Sequence, residues 1–233
     1  MILSFNIEYR TNWGEEVKLA GLSTESTPMY TTDGIYWTAE VELEVPQEGL
    51  TIHYSYQIEQ NGIVIRKEWN NFPRCLFLSG TPRKKYRIND CWKNIPEQLY
   101  LYSSAFTEAL LSHPERVDIP QGYKKGLIIK AYAPRINKDY CLAICGNQKA
   151  LGNWDPEKAV LMSDSNFPEW QVELDASKLK YPLEYKFILC HKQERKIDCW
   201  EKNPNRYLAD PEIKTNETLV ISDRYVYFDI PMW

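Results

Sequence analysis

The chain has 233 residues, of which 43% are hydrophobic and 13% aromatic, and its formal net charge is −4. This length and apolar content suit one large domain or two of ordinary size, each with its own core. Lysine and arginine form no block, which argues against a nucleic-acid partner. No apolar run approaches the roughly 18 residues of a membrane span, so we expect no membrane partner.

Sequence patterns typical of β-strands dominate both halves of the chain. Alternating apolar and polar residues occur at 37–45 (WTAEVELEV), 51–58, 170–174 and 184–189, and Pro, Gly, Asn and Asp separate these runs. A local helical pattern covers residues 103–112 (SSAFTEALLS). Short alternating strands with frequent turns predict an all-β fold of antiparallel sandwiches, with the indoles of Trp37 and Trp170 in the cores.

The second half of the chain repeats the first. Residues 17–21 match 142–146 at an offset of 125, Trp37 matches Trp170 at 133, and residues 69–73 match 200–204 at 131. The order is kept and the drift is small, which indicates a duplication. We therefore expect two tandem immunoglobulin-like β-sandwiches, at residues 1–92 and 127–233, with residues 93–126 as a linker that holds the helical patch.

Three side chains of the second copy suit an uncharged, hydroxyl-rich ligand. Trp154 lies in the turn sequence Asn-Trp-Asp-Pro, Trp200 begins a loop, and Lys186 alternates with aromatic residues on a strand. Indole faces stack on the C–H face of a sugar ring, and a lysine donates to its hydroxyls. The alternative interpretation places the indoles over the end of the sandwich and leaves Lys186 as an ordinary surface lysine.

Four motifs of the second copy occur in the order LGNWDPEKAVLM (151–162), PEWQVEL (168–174), EYKFIL (184–189) and WEKNPNRYL (200–208). Together they resemble family 20 carbohydrate-binding modules, the starch-binding domains. The resemblance implies a β-sandwich that binds α-1,4-glucans without a cofactor or metal. It implies a first sugar site at Trp154, Lys186, Trp200 and Asn205, with Glu201 as a neighbour.

The first copy resembles the same family, but it keeps the aromatic residues of the family's second sugar site and lacks most residues of the first. The two aromatic positions of the family's second sugar site fall on Trp13 and Tyr30, whereas the second copy lacks aromatics there. Of the first site, Trp69 remains. The resemblance implies a glucan site at Trp13 and Tyr30; the alternative is that both rings pack on the linker or on the other copy.

The tandem arrangement resembles the amino-terminal region of family 77 4-α-glucanotransferases. This implies a non-catalytic, glucan-binding fragment of an enzyme that transfers α-1,4-glucan segments, with its catalytic domain beyond Trp233. Two other interpretations stay open: a glycogen- or starch-targeting interaction module of a non-transferase protein, and a structural spacer. The carboxylates are scattered, and no Ser-His-Asp set, phosphate loop or HExxH motif occurs, so we expect no catalytic site here.

The cysteines and the chain start both bear on location. The six cysteines form no CxxC motif and no zinc-like pairing with the three histidines. The first residues have neither the basic nor the apolar segment of a signal peptide. Free thiols suit a reducing compartment, so we expect a cytoplasmic protein.

Overall fold

The computed structural model describes residues 1–68, 74–81, 83–94, 122–133, 136, 139–194, 196–223 and 226–228. These residues form two compact units. The first unit holds residues 1–94, 122–124 and 215–222, and the second holds residues 125–214 and 223–228. The expected helical patch at 103–112 lies outside the described residues, and the boundaries expected at 92 and 127 stay a prediction.

The described part of the first unit is built from two sheets. One has the strand order β4-β1-β8-β17, and the other has the order β3-β2-β5-β6 with β7 also paired to β5. The strands are β1 (Ile2–Glu8), β2 (Glu15–Ala20), β3 (Thr27–Pro28), β4 (Tyr36–Glu42), β5 (Leu50–Gln60), β6 (Ile63–Lys67), β7 (Arg74–Leu78), β8 (Lys85–Cys91) and β17 (Glu217–Ser222).

Strand β1 shows how the pattern produces the sandwich. Its residues alternate in burial, and Leu3, Phe5 and Ile7 are at most 2% exposed. The ring of Phe5 meets that of Tyr54 in the opposite sheet, with centroids 5.1 Å apart in an edge-on arrangement. One face of each sheet therefore forms the core, as the period-2 pattern requires.

Not every pairing in the first unit is antiparallel. Strand β1 pairs with β4 antiparallel but with β8 parallel, and β8 pairs with β17 parallel. The chain between β1 and β8 passes through the opposite sheet, so no hairpin forces the two strands to run in opposite directions. The expected antiparallel pairing is present in the other sheet of this unit, but it is wrong for the β1–β8 and β8–β17 pairs.

The described part of the second unit also has two sheets. The strand orders are β12-β13-β9 and β11-β10-β14-β15, with β16 pairing to β14. The strands are β9 (Lys125–Tyr132), β10 (Tyr140–Gly146), β11 (Val160–Leu161), β12 (Ser163–Asn166), β13 (Glu169–Asp175), β14 (Leu183–His191), β15 (Ile197–Trp200) and β16 (Arg206–Leu208). A 3-10 turn, Lys149–Trp154, follows β10, and we call it turn T1.

The two core tryptophans occupy equivalent places in the two units. Trp37 is 5% exposed and Trp170 is fully buried. The Trp37 indole donates to the backbone oxygen of Tyr9, and the Trp170 indole donates to that of Ala133, each at 3.2 Å. These contacts confirm the prediction that both indoles belong to the cores. The all-β sandwich fold expected from the sequence is confirmed as well.

Candidate functional site

Turn T1 holds Trp154 in an unusual backbone conformation. The Gln148 oxygen accepts the N–H groups of Leu151, at 2.8 Å, and Asn153, at 3.0 Å. The φ angles of Gly152, Asn153 and Trp154 are 84°, 52° and 61°. A positive φ is ordinary for glycine and tolerated by asparagine, but it is an outlier for a residue as bulky as tryptophan. Such strain persists only where the surroundings fix it, which marks Trp154 as a functional candidate.

Hydrogen bonds to the start of β14 and to the segment before it fix the residues that lead into turn T1. Asn147 donates its N–H to the Glu184 oxygen at 3.0 Å and accepts the Glu184 N–H on its side chain at 3.2 Å. The Gln148 amide exchanges two hydrogen bonds of 2.9 Å with the Lys180 backbone. A Cβ atom on Gly146 would lie within 3.0 Å of the Glu184 oxygen, so this close approach requires glycine.

A buried ion cluster fixes Trp200, the last residue of β15. The next residue, Glu201, has a side chain with no exposed surface. Its carboxylate accepts the Phe187 N–H at 2.8 Å and two Arg206 hydrogen bonds at 3.2 and 2.9 Å. Arg206 also lies 3.4 Å from Asp223. The structure therefore gives Glu201, expected as a neighbour of the sugar site, a supporting position: its oxygens are enclosed and hold the Trp200 loop in place.

Burial shifts the acidities of the cluster. It raises the pKa of Asp223, an effect opposed by the neighbouring charge of Arg206 and the hydrogen bond from the Tyr185 hydroxyl at 2.7 Å. Burial and the nearby Asp223 carboxylate raise the pKa of Tyr185 well above its usual value. Burial opposes the charge of Arg206, but hydrogen bonds to Glu201 and the Asp223 charge outweigh it and raise the Arg206 pKa. The guanidinium therefore stays charged and keeps its ion pairs.

The two indoles predicted from the sequence come together. Their ring centroids are 6.2 Å apart, their planes are inclined by 45°, and both side chains are half-buried. The Trp154 backbone N–H bonds to the thiol of Cys145, which lies directly opposite Lys186 on β14. Trp200 lies opposite Ile188, two residues further along β14. Since alternate residues share one face of a strand, Lys186 lies on the face that carries both indoles.

Two polar residues of the predicted site lie on neighbouring elements. Lys186 is half-buried on β14, and Asn205 is exposed in the loop between β15 and β16. We use the name indole pair for Trp154 and Trp200. The indole pair with Lys186 and Asn205 combines apolar ring faces with hydrogen-bonding groups, the composition that a sugar ligand requires.

The aromatic residues expected in the first copy lie on two neighbouring loops. Trp13 is fully exposed and Tyr30 is 71% exposed. Thr11 donates its N–H and its hydroxyl to the Gly34 oxygen, at 3.0 and 3.2 Å, while Tyr30 exchanges two 2.8 Å hydrogen bonds with Thr38. The loop before Trp13 and the loop after Tyr30 therefore meet at one end of the first unit. Their role as a sugar site stays a prediction.

Trp69 lies outside the described residues, but the strand register revises its alignment. Lys67 pairs with Gln57 on β5, and Trp200 pairs with Ile188 on β14. Gln57 and Ile188 are equivalent positions of the two copies, because they are 131 residues apart, which is one of the offsets of the repeat. Lys67 therefore occupies the place of Trp200, because the ladder between β5 and β6 is shifted by two residues relative to the alignment made from sequence. The role expected for Trp69 stays a prediction.

The first unit carries its own version of the buried ion cluster. Arg74 donates to Glu68 at 2.7 Å and to Asp90 at 3.0 Å, and the Tyr54 hydroxyl donates to Asp90 at 3.0 Å. The same three charges recur in the second unit as Glu201, Arg206 and Asp223, at offsets of 132 to 133. Sequence reasoning missed this cluster, although its repeated Glu-Arg-Asp spacing was visible.

A family model and a curated relative both match this chain. Residues 129–220 match the family model described as starch binding domain. The chain is 22% identical over 247 residues to the 4-alpha-glucanotransferase DPE2 of Oryza sativa subsp. japonica, an alignment that covers 95% of this chain and 25% of that relative. The chain thus spans about a quarter of the length of this curated relative.

Two solved structures are similar to parts of the chain. The family 15 glucoamylase from Hypocrea jecorina is 23% identical, with a TM-score of 0.37, and the match covers 48% of this chain and 19% of that one. The family 20 carbohydrate-binding module of the maltotetraose-forming amylase from Pseudomonas saccharophila STB07 is 18% identical, with a TM-score of 0.34, and the match covers 42% of this chain and 99% of that one.

Among the described residues, no three His, Cys, Asp or Glu side chains are grouped closely enough to hold a metal ion. The helices in this part of the chain include none that is long and apolar enough to cross a membrane.

Proposed function

Because residues 129–220 match the starch-binding domain family, we propose that the second unit binds α-1,4-glucans such as starch, glycogen or maltodextrin without transforming them. The observation that carries this proposal is the indole pair, with its 6.2 Å separation and 45° inclination. A glucan chain curves, so successive glucosyl rings present their apolar faces at an angle. Two inclined indoles match two such rings better than a flat platform would.

In this proposal Lys186 and Asn205 orient the glucan through directed hydrogen bonds. Lys186 has three N–H donors and Asn205 has both a donor and an acceptor, which suit the hydroxyl groups at the edge of a pyranose. Neither group requires an anionic ligand. Ring stacking provides the affinity in this proposal, and the hydrogen bonds select a hydroxyl-rich ligand.

The carboxylates next to the indole pair favour binding over catalysis. Glycoside cleavage uses two carboxyl groups on either side of the scissile bond. Glu201 is enclosed by Arg206 and the Phe187 N–H. Asp155 accepts the Glu157 N–H and pairs with Lys158. Both carboxylates are therefore committed to the protein's own structure.

The first unit contributes a second contact in this proposal. The exposed rings of Trp13 and Tyr30 bind a separate stretch of glucan. Two weak sites on one chain raise the apparent affinity for a long glucan, since the second site binds at high effective concentration.

We also propose that the two units serve a 4-α-glucanotransferase, which transfers α-1,4-glucan segments and whose catalytic domain would follow Trp233. The similarity to the 4-alpha-glucanotransferase DPE2, which covers 95% of this chain, supports the proposal. It favours a transferase over a targeting module of another protein. The six free thiols of the structure favour a reducing compartment such as the cytoplasm.

Replacement of the indoles tests the proposed function. Trp154→Ala and Trp200→Ala are each expected to weaken β-cyclodextrin binding by about 1–3 kcal/mol in titration calorimetry, because each removes a stacking surface. The matched control is Ile63→Ala, which removes an exposed apolar side chain from β6 of the first unit and should leave the affinity unchanged.

A combined variant separates the two units. The double variant of the indole pair should retain weak amylose binding, and adding Trp13→Ala and Tyr30→Ala should abolish it. Unchanged affinity in both single indole variants would refute the assignment of the site. A complete loss in the double variant would mean that the first unit does not bind glucan.

A further inference from the structure

Tyr207 projects from the second unit for a definite structural reason. The preceding residue, Arg206, points inward to Glu201 and Asp223. Because neighbouring residues of a strand point to opposite faces, the inward guanidinium directs the Tyr207 ring outward. Its side chain is accordingly 64% exposed, although the backbone beneath it is fixed by the ion cluster. An exposed ring on a backbone that is held in place presents its face to a ligand that can stack on it.

The strand register places this ring in line with the indole pair. Tyr207 lies opposite Glu184 on β14, and Trp200 lies opposite Ile188 on the same strand. Glu184, Lys186 and Ile188 alternate along one face, so Tyr207 and Trp200 share that face. Four residues of strand separate the two positions, a distance of about 13 Å. A disaccharide held on the indole pair is too short to fill both places.

The repeat provides an internal comparison. In the first unit the equivalent pair is His53 opposite Cys75 on β7. That unit has Lys67 at the place of Trp200 and no ring at the place of Tyr207. The second unit, which carries the indole pair, therefore has Tyr207 at this place. The first unit, which has Lys67 at the place of Trp200, has Cys75 there.

We propose that Tyr207 and Glu184 form an additional glucosyl subsite, which makes the second unit selective for longer α-1,4-glucans. This inference rests on the proposed function of the indole pair. The tyrosine ring stacks on the C–H face of a glucosyl unit further along the same chain. The Glu184 carboxylate, half-exposed beside it, accepts hydrogen bonds from hydroxyls of that unit.

The test compares a short and a long glucan on one background. The parent protein is the full chain with Trp13→Ala and Tyr30→Ala, so that the proposed first-unit site cannot bind the far end of a long ligand. Maltose and maltoheptaose are titrated by NMR or calorimetry into this parent, into its Tyr207→Ala variant and into its Tyr207→Phe variant. Thermal unfolding of each variant checks that the fold is intact, and Ile63→Ala again serves as the exposed apolar control.

The expected result is a change that depends on chain length. Tyr207→Ala should weaken maltoheptaose binding by roughly three- to tenfold, since one aromatic stacking contact is lost, and should leave maltose binding unchanged. Tyr207→Phe should keep most of the maltoheptaose affinity because it keeps the ring. Equal maltoheptaose affinity in Tyr207→Ala and the parent would overturn the subsite while the proposed function stands. A parent that binds neither glucan would refute the proposed function and the subsite with it.

Discussion

Glu201 offers the sharpest test of the structure against the sequence resemblance. The resemblance made it a neighbour of the sugar, whereas the structure encloses its side chain among Phe187 and Arg206. We compare Glu201→Gln, which removes the charge but keeps an oxygen acceptor, with Glu201→Ala, which removes the whole group. If Glu201 supports the fold, its replacement lowers stability and leaves the glucan affinity of the folded protein nearly unchanged. If Glu201 contacts the sugar, its replacement lowers the affinity and leaves stability nearly unchanged.

The magnitude follows from the contacts that are lost. Glu201 accepts three hydrogen bonds, and two of them come from a guanidinium that is itself 13% exposed. Glu201→Ala leaves this charge buried with Asp223 at 3.4 Å as its remaining carboxylate in the cluster, so we expect a loss of about 3–5 kcal/mol of unfolding free energy. Glu201→Gln retains the acceptor for the Phe187 N–H, and we expect it to cost about 1–3 kcal/mol.

The assay is urea denaturation followed by tryptophan fluorescence, with β-cyclodextrin titration of the folded fraction at low temperature. If Glu201 is structural, both replacements lower the urea midpoint of the second unit. The folded Glu201→Gln protein then still binds β-cyclodextrin with nearly the wild-type affinity. The opposite result would refute this reasoning: a Glu201→Gln protein with wild-type stability and an affinity at least tenfold lower would mean that the carboxylate contacts the ligand.

Two further changes test the support of the indole pair. Gly146→Ala should destabilise the second unit by about 1–3 kcal/mol, because the new Cβ would meet the Glu184 oxygen; a urea midpoint equal to wild type would show that turn T1 can shift. Asp223→Asn tests the raised pKa: the folded state holds the Asp223 proton more tightly than the unfolded state, whose pKa is near the ordinary value of 3.8. The unfolding free energy of wild type minus that of the variant should therefore fall as the pH rises from about 4 through the raised pKa and then level off. A difference that increases over this range would contradict the assigned direction.

Much of the geometry of the candidate site could be predicted because its signals are local. Trp154 lies among turn residues, and Lys186 alternates along a strand, so their exposure follows from patterns of a few residues. Trp37 and Trp170 begin alternating runs, and both are buried as expected. In each case the neighbouring residues in the chain carry the information.

Other features depend on how strands pair, and local sequence patterns did not predict them. The pattern around Glu201 resembles an exposed loop, yet its carboxylate contacts Phe187, fourteen residues earlier. Trp69 aligns with Trp200 by similarity, but the ladder between β5 and β6 places Lys67 there. Neither result was available from local patterns, because register depends on which strands pair and on where a ladder is interrupted.

The sequence by itself determined that this protein is an all-β duplication, and it indicated which tryptophans lie in the cores and which lie outside them, because period-2 alternation and turn composition depend on adjacent residues. Tertiary structure alone decided the 6.2 Å approach and the 45° inclination of the indole pair, the inward turn of Glu201 and the outward position of Tyr207. The physical reason is that a strand's pairing partners and the enclosure of a charge depend on the folding of distant segments, and buried ion pairs form only when that folding brings their members together.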